Sequence, residues 1–385
     1  MTKVSDFDKA LRLKGYGSYE NKVSQNDYKN LEKVVKVDND LSVKPKVITC
    51  LRDYIDFIST LESSYENPVF YRGQGNANYL INPSSLRKNP ANERRMIESF
   101  ERRFSNELNS CENDMARLVL MQHYGLGTRA LDISENPLAA LYFACSPMKK
   151  FNTNRESEKS EWGEITIFKD PDEENEKKPY DLKQIHSSTV SIISSTAFMK
   201  KEFNLWELGM EWKKDRNYMH DEKFIQLRDI IRRSVIVRVP QNNPRIKNQQ
   251  GAFIIVNANE VLEINGQEKN ANNLTKYLLE NEYINFHDVL DNPKWGNLFV
   301  NNSWELKFGK IKPYSGKNTC KIFDIDPFNL RRIFYKKDGV QQVVLIPPER
   351  KDEIVRELSR FNITEDFIYP DMDCVANEIN ERINI

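Results

Sequence analysis

The sequence predicts an α+β fold in which helices flank a mixed or antiparallel central sheet. Helical patterns dominate the first part of the chain, whereas short strand-like runs are interleaved with helices in the second part. This order differs from the regular alternation that builds a parallel α/β fold. Neither a Gly-rich dinucleotide fingerprint nor a P-loop is present. The sequence therefore favours a sheet whose neighbouring strands run mainly in opposite directions.

The helices are predicted from apolar residues at three- and four-residue spacing and from end signals. Asn136 followed by Pro137 is typical of a helix start, and Gly125 is the residue type expected just after a helix end. The predicted helices cover residues 51–62, 92–108, 113–124, 137–145, 220–233 and 350–361.

The strands are predicted from short runs of β-branched and aromatic residues. They cover residues 69–72, 163–168, 234–239, 252–256 and 342–346. Residues 1–45 are polar and rich in lysine, which predicts an N-terminal arm. Residues 46–385 are predicted to form one domain, with an insertion or a loop-rich region at 269–320.

Composition limits the partners and the compartment. The chain has 57 Lys and Arg against 57 Asp and Glu, so no overall field favours nucleic acid or an acidic membrane. No apolar run is long enough to span a bilayer, and the N-terminal residues contain no apolar signal core. The five cysteines and four histidines lack metal-ligand spacing. We therefore predict a cytoplasmic protein with reduced thiols, no structural metal and no membrane partner.

An arginine closes the first predicted strand. Arg72 follows an apolar run directly and is succeeded by Gly73, Gln74 and Gly75. A guanidinium holds phosphate with two hydrogen bonds, and glycine leaves the backbone open to a ligand. Two interpretations stay open: Arg72 binds an anion, or it pairs with a core carboxylate at the strand end.

A dense polar cluster follows between two predicted helices. Its members are Gln122, His123, Thr128, Arg129, Asp132, Ser134 and Asn136. A loop of this composition is buried only if every polar group has a partner. Either the side chains form a network that joins the helices, or they line a polar pocket; their density favours the pocket.

A third polar segment leads into a strand. Residues 241–250 carry Arg245, Lys247, Gln249 and Gln250 and run into Gly251. The arrangement mirrors the Arg72 segment, although the segment by itself favours an ordinary solvated loop. Basic and aromatic residues at 212–220 leave RNA binding open as well.

Together these stretches resemble the FRG domain family, named for a Phe-Arg-Gly motif. The motif stands here as Phe70-Tyr71-Arg72-Gly73-Gln74, and the most specific match is the run from Gln122 to Cys145. Residues 245–253 and 346–376 are similar to the family's Gln-Gln-Gly segment and C-terminal signature. The resemblance covers about residues 50–385 without 269–320. It implies a bacterial or phage-related protein with a toxin or anti-phage role.

A second resemblance is to arginine-class ADP-ribosyltransferases. In that class a strand-end arginine binds the phosphates of NAD, and a Ser/Thr strand with an Asn-Pro-capped helix supports the nicotinamide pocket. The resemblance implies an ADP-ribosyltransferase-like fold with NAD in a cleft between two sheet halves. It makes Arg72, His123 and Gln250 the predicted catalytic residues. The predicted cofactor-binding residues are Tyr71, Arg72, Gly73, Gln74, Thr128, Arg129, Asp132, Ser134 and Asn136.

The sequence departs from this second class at its third motif. There the enzymes supply a glutamate, whereas this chain has Gln249 and Gln250. A neutral amide hydrogen-bonds a ribose hydroxyl but offers no negative charge to an oxocarbenium ion. Two functions stay open. One is an NAD-dependent toxin or defence effector that modifies a nucleic acid or protein and is neutralised by an antitoxin or chaperone. The other is a non-catalytic sensor of a phage or host partner.

Overall fold

The computed structural model describes residues 32–36, 42–77, 79, 81, 83–86, 93–146, 161–170, 183–198, 202–203, 234–255, 259–264, 267–270, 318–321 and 333–370. The strands in these ranges are β1 (Val35–Lys36), β2 (Ser42–Val47), β3 (Val69–Gln74), β4 (Ala130–Ser134), β5 (Gly163–Lys169), β6 (Lys183–Gln184), β7 (Glu202–Phe203), β8 (Val235–Arg238), β9 (Gly251–Ile255), β10 (Asn259–Ile264), β11 (Gln267–Asn270), β12 (Asn318–Lys321), β13 (Lys336–Lys337) and β14 (Val340–Ile346). The α-helices are α1 (Leu51–Ile58), α2 (Glu93–Glu101), α3 (Ser105–Asn109), α4 (Asp114–His123), α5 (Pro137–Cys145), α6 (Ser188–Ser195), α7 (Pro244–Gln249), α8 (Lys351–Ser359) and α9 (Glu365–Ile368).

A large mixed sheet carries the helices. Its strand order is β1–β2–β14–β5–β3–β4–β9–β8–β6, and β13 pairs with β14 beside this path. The pairs β2–β14 and β6–β8 are parallel, and the pairs at the centre of the sheet are antiparallel. A second sheet has the order β11–β10–β12–β7. The predicted α+β class with a mixed sheet flanked by helices is thus confirmed.

The large sheet is interrupted between its two central strands. β3 pairs with β5 along its whole length, and β4 pairs likewise with β9. Between β3 and β4, by contrast, Tyr71 opposite Ser134 is the one pair in register. We call β1–β2–β14–β5–β3 the first half-sheet, β4–β9–β8–β6 the second half-sheet, and the interruption between them the split.

Helices cover one face of the sheet, which we call the helix-covered face. Helices α1, α5 and α8 pack on the first half-sheet around Tyr71 and Ile165. Helices α2, α4 and α6 pack on the second half-sheet around Ala130 and Phe253. The opposite face has its own apolar core, which includes Phe70 and Leu131. Strand residues alternate between the two faces, so each strand contributes to both.

The observed elements differ from the sequence-based prediction at two boundaries. Residues 92–108, predicted as one helix, form α2 and α3, because the N–H groups of Arg102 and Arg103 close a turn onto Glu98 and Phe100. Residues 42–45, the end of the predicted arm, belong to β2, in which alternate residues are buried against the sheet. Lys44 and Lys46 alternate with the buried residues of this strand, and the lysine-rich composition therefore indicated a solvated segment. The helix predicted at 220–233 lies outside the described residues.

Candidate functional site

Arg72 lies on β3 beside the split. Phe70, two residues earlier, belongs to the core of the opposite face, whereas Tyr71 belongs to the helix-covered core. Arg72 therefore extends on the opposite face. Its Nη1 donates a hydrogen bond to the main-chain carbonyl of Asp132, 2.5 Å away on β4. The guanidinium, half-buried, thus bridges the split where the ladder of main-chain bonds is missing.

Four polar side chains share this region of the opposite face. Arg72 is in register with Thr166, and Gln74 with Glu164. Thr166 Oγ1 donates to Glu164 Oε1 at 3.1 Å. Gln74, Glu164 and Thr166 are 6%, 5% and 1% exposed. We call these four residues the polar quartet.

The polar quartet lies inside an apolar surround. The surrounding side chains are those of Phe70, Ile133, Phe168, Val343 and Leu345. Buried polar groups need partners, and a few convergent polar groups in an apolar surround are typical of a small-molecule site. The quartet is therefore the candidate site.

The helix-covered side of β3 is closed to a ligand. A Cβ on Gly73 would lie 1.8 Å from the carbonyl oxygen of Ala140, and one on Gly163 would lie 2.4 Å from that of Ala144. Both contacts are with the backbone of α5, which is apolar on all sides and buried through much of its length. The missing side chain of Gly73 thus admits α5 on this face, and its predicted contact with a cofactor stays a prediction.

Tyr71 also belongs to the fold. Its ring is buried with α5 on the helix-covered face. Burial raises the pKa of the Tyr71 phenol to about 12, and the neighbouring Tyr335 contributes in the same direction. The Tyr71 side chain thus faces away from the polar quartet, and its predicted contact with a cofactor stays a prediction.

The Arg129 guanidinium forms a buried ion pair with the Glu93 carboxylate. Its guanidinium is 1% exposed and donates to Glu93 from Nε at 3.1 Å and from Nη2 at 2.7 Å. The Nη1 group donates to Thr196 Oγ1 at 2.5 Å. These bonds join β4 to α2 and to the end of α6. For Arg129 these bonds favour the network interpretation, and its predicted contact with a cofactor stays a prediction.

Three hydroxyl and amide side chains of the predicted pocket form hydrogen bonds within the fold, to main-chain groups or to another side chain. Thr128 Oγ1 donates to Gln122 Oε1 at 2.8 Å and is fully buried. Ser134 Oγ donates to the Gln249 carbonyl at 2.5 Å. Asn136 Oδ1 accepts the N–H groups of the first turn of α5, as an N-cap residue does. Ser134 and Asn136 thus shape the turn between β4 and α5, whereas Thr128 contacts the last turn of α4.

The remaining predicted site residues occupy separate surroundings. Asp132 exposes its carboxylate in the middle of β4, between the buried Leu131 and Ile133. The His123 ring at the end of α4 contacts the Asn243 amide at 3.2 Å. Gln250 ends α7 with a left-handed φ of 46°, and its carbonyl accepts the Glu135 N–H at 3.0 Å. These contacts join His123 and Gln250 to residues outside the polar quartet.

Sequence reasoning missed Glu164 and Thr166. The period-two pattern of β5 separates these residues from Ile165 and Ile167, which lie in the helix-covered core. That pattern is a signal for a polar stripe on one face. It cannot name the neighbouring strand, however, because strand register is a tertiary property.

Lys351 is a second buried cation that the sequence did not reveal. Its side chain is 1% exposed, and Nζ donates to the Gly75 carbonyl at 2.6 Å, just beyond β3. Its charge acts on Cys145, where burial raises the pKa of the thiol to about 12 and Lys351 partly opposes that rise. The first turn of α8 thereby fixes the end of the strand that carries Arg72.

The C-terminal part of the described chain joins the two half-sheets. Its α8 packs on α5, above the first half-sheet. Farther along, the Phe367 carbonyl accepts the Asn248 side-chain amide and the Ile368 carbonyl accepts that of Gln249, both at 2.8 Å. The Arg245 guanidinium lies 5.1 Å from the centre of the Tyr369 ring. We call residues 351–369 the C-terminal clamp, since they contact both sides of the split.

The fold and site define an α+β protein with a split mixed sheet and a buried polar quartet beside the split. Residues 67–153 match the family model of the FRG domain. This match includes Arg72, the polar cluster and α5, and it supports the FRG resemblance over that segment. No curated protein and no solved structure matches the chain.

The described ranges contain no group of three or more His, Cys, Asp or Glu side chains arranged to hold a metal ion. In the same ranges, no helix combines the length and apolar character needed to cross a bilayer.

Proposed function

We propose that the chain binds NAD at the polar quartet and transfers its ADP-ribosyl group to a protein or nucleic acid. The observation that carries this proposal is the position of Arg72. It is a half-buried guanidinium on a central strand, beside the split and among polar side chains in an apolar surround. Arginine is suited to phosphate because its planar fork matches two phosphate oxygens.

The split gives an extended ligand a place to lie. In a continuous antiparallel pair, main-chain hydrogen bonds would occupy the space between β3 and β4. Here the pairing is limited to Tyr71 and Ser134, and a side chain reaches across instead. A pyrophosphate on Arg72 would place the rest of the dinucleotide along the split. Ser134 and Asn136 support this model by fixing the turn at its end, as braces and not as ligands.

The proposed activity is tested with isotopically labelled NAD. The full chain is incubated with labelled NAD and cell lysate, and label in protein and in nucleic acid is counted separately. We expect transfer by the wild-type chain and a loss of roughly 30- to 1000-fold with Arg72→Gln, because a charge-assisted phosphate contact is worth about 2–4 kcal/mol. Arg52→Gln is the matched control, since Arg52 lies on the exposed side of α1.

Binding is measured separately from transfer. A ligand that binds only the folded state raises the melting temperature. We expect millimolar NAD to raise it for the wild-type chain and for Arg52→Gln, and to leave that of Arg72→Gln unchanged. Absence of both a shift and label in the wild-type chain contradicts the proposal.

A second candidate function is a non-catalytic sensor module. The Gln249 and Gln250 segment favours it, because the Gln249 side chain and both main-chain carbonyls are engaged in holding the turn. A sensor would show no label transfer and would bind a phage or host protein. If basic loops instead bind RNA, the affinity falls steeply with salt.

The proposed biological role is that of a cytoplasmic toxin or anti-phage effector, with an antitoxin or chaperone as its partner. Its test is induced expression of the wild-type chain, Arg72→Gln and Arg52→Gln at matched protein levels. We expect growth arrest with the wild-type chain and with Arg52→Gln, and normal growth with Arg72→Gln. Equal growth in all three cultures counts against a toxic activity that depends on Arg72.

A further inference from the structure

Glu164 is a buried carboxylate on the same face as Arg72. It lies in register with Gln74 and two residues along β5 from Thr166, the partner of Arg72. In an antiparallel pair such diagonal neighbours are about 7–8 Å apart, within reach of long side chains. The polar quartet therefore presents a cation and an acid to the same volume.

The strand around Glu164 is otherwise suited to packing. Ile165 and Ile167 fill the helix-covered core, and Phe168 fills the core of the opposite face. A carboxylate in such a strand carries a desolvation penalty that an apolar residue would avoid. Thr166 offsets part of it by donating to Oε1 at 3.1 Å, which also fixes the orientation of the carboxylate.

We propose that Glu164 is the carboxylate that contacts the ribose of NAD in this site. This inference rests on the proposed function and assigns the acidic role to β5, not to the segment that holds Gln249 and Gln250. With the pyrophosphate on Arg72, the Glu164 carboxylate accepts a hydrogen bond from a ribose hydroxyl. Thr166 is then a positioning residue, which acts through Glu164.

The chemical step needs a negative charge, not a proton acceptor. The bond between ribose C1′ and the nicotinamide nitrogen breaks, and both bonding electrons leave with neutral nicotinamide. The positive charge thus moves onto the ribose, where the Glu164 carboxylate stabilises it. An N–H or O–H group of the acceptor then bonds to C1′, and its proton passes to solvent. Glu164 is unchanged at the end of the cycle.

The test compares Glu164→Gln with the wild-type full chain. The substitution keeps the shape and removes the charge. We expect label transfer to fall roughly 100- to 1000-fold. We also expect the NAD-induced rise in melting temperature to persist, since Arg72 is intact. Glu98→Gln, on the exposed side of α2, is the control for loss of a carboxylate and should transfer at the wild-type rate.

Failure of the inference differs from failure of the proposed function. If wild type transfers label and Glu164→Gln stays within threefold of it, Glu164 is not the charge-stabilising group. If wild type neither binds NAD nor transfers label, the proposed function itself is wrong. If the Glu164→Gln chain does not fold, the Thr166→Val chain is tested in its place. For that variant we expect kcat to fall about tenfold with KM unchanged, and an unchanged kcat overturns the assignment.

Discussion

Arg72, on β3, and Arg129, the residue just before β4, lie in the same FRG-matched segment, yet their surroundings differ. Arg129 is enclosed, with a carboxylate and a threonine on its guanidinium. Arg72 is half-buried and donates to a main-chain carbonyl across the split. In the first arrangement a buried carboxylate neutralises the charge within the fold, whereas in the second the guanidinium is half-buried and shares one sheet face with Gln74, Glu164 and Thr166. A ligand site is therefore indicated by what surrounds an arginine, not by its presence on a strand.

The largest expected effect separates these two arginines by stability. Arg129→Gln should lower the free energy of unfolding by about 3–5 kcal/mol, because Glu93 is left as a buried charge without its partner. Arg72→Gln should lower it less, because the guanidinium is half-buried and its charge-assisted bond to the Asp132 carbonyl contributes about 1.5–3 kcal/mol. Urea unfolding of both variants measures the difference.

Two control variants accompany Arg72→Gln and Arg129→Gln: the same arginine-to-glutamine change at an exposed position, and removal of both partners of the buried ion pair. Arg52→Gln removes an exposed ion pair and should change stability by less than about 0.5 kcal/mol. Replacing Arg129 and Glu93 together by Met and Leu should recover part of the loss, because no charge is then stranded. Equal losses for Arg72→Gln and Arg129→Gln would remove the distinction between the two sites.

The sequence predicted the fold better than it predicted the roles of single residues. Apolar periodicity and the Asn136–Pro137 cap correctly located α5 and five strands of the large sheet, namely β3, β5, β8, β9 and β14, but not β2 or β4. The same sequence could not show that Gly73 receives α5 or that Glu93 reaches Arg129, 36 positions away. Both facts depend on which elements meet in space. Glu164 was missed for this reason too, since its significance comes from the register of β5 with β3.

A second prediction concerns the two faces of β3. Gly73→Ala places a methyl group 1.8 Å from the Ala140 carbonyl, so α5 must shift. We expect a loss of about 1–3 kcal/mol in the free energy of unfolding, typical of overpacking. Gly251→Ala is the matched control, because its methyl group would meet Ile246 at an ordinary 3.5 Å. Equal stability of the two variants would show that α5 does not close this face.

A third prediction uses the phenol of Tyr71 on the helix-covered face. Its pKa is raised from 10 to about 12, so the folded state favours the neutral phenol. That stability is fully present below pH 10 and is lost as the pH rises through about 12, amounting to at most about 3 kcal/mol. Tyr71→Phe should therefore lose less stability than wild type between pH 9 and pH 12. Tyr65→Phe, an exposed control, should follow the wild-type curve.

The smallest expected effect tests whether the two half-sheets are held by the C-terminal clamp. Asn248→Ala and Gln249→Ala each remove one side-chain bond to the clamp and should lower the free energy of unfolding by about 1 kcal/mol. Hydrogen exchange should quicken first in α9, since its contacts with α7 are lost while α8 remains packed on α5. Lys247→Ala, an exposed neighbour on α7, should leave exchange unchanged. If α9 keeps its protection in both variants, the clamp does not connect the halves, and the width of the split is set by Arg72 and the Tyr71–Ser134 pair.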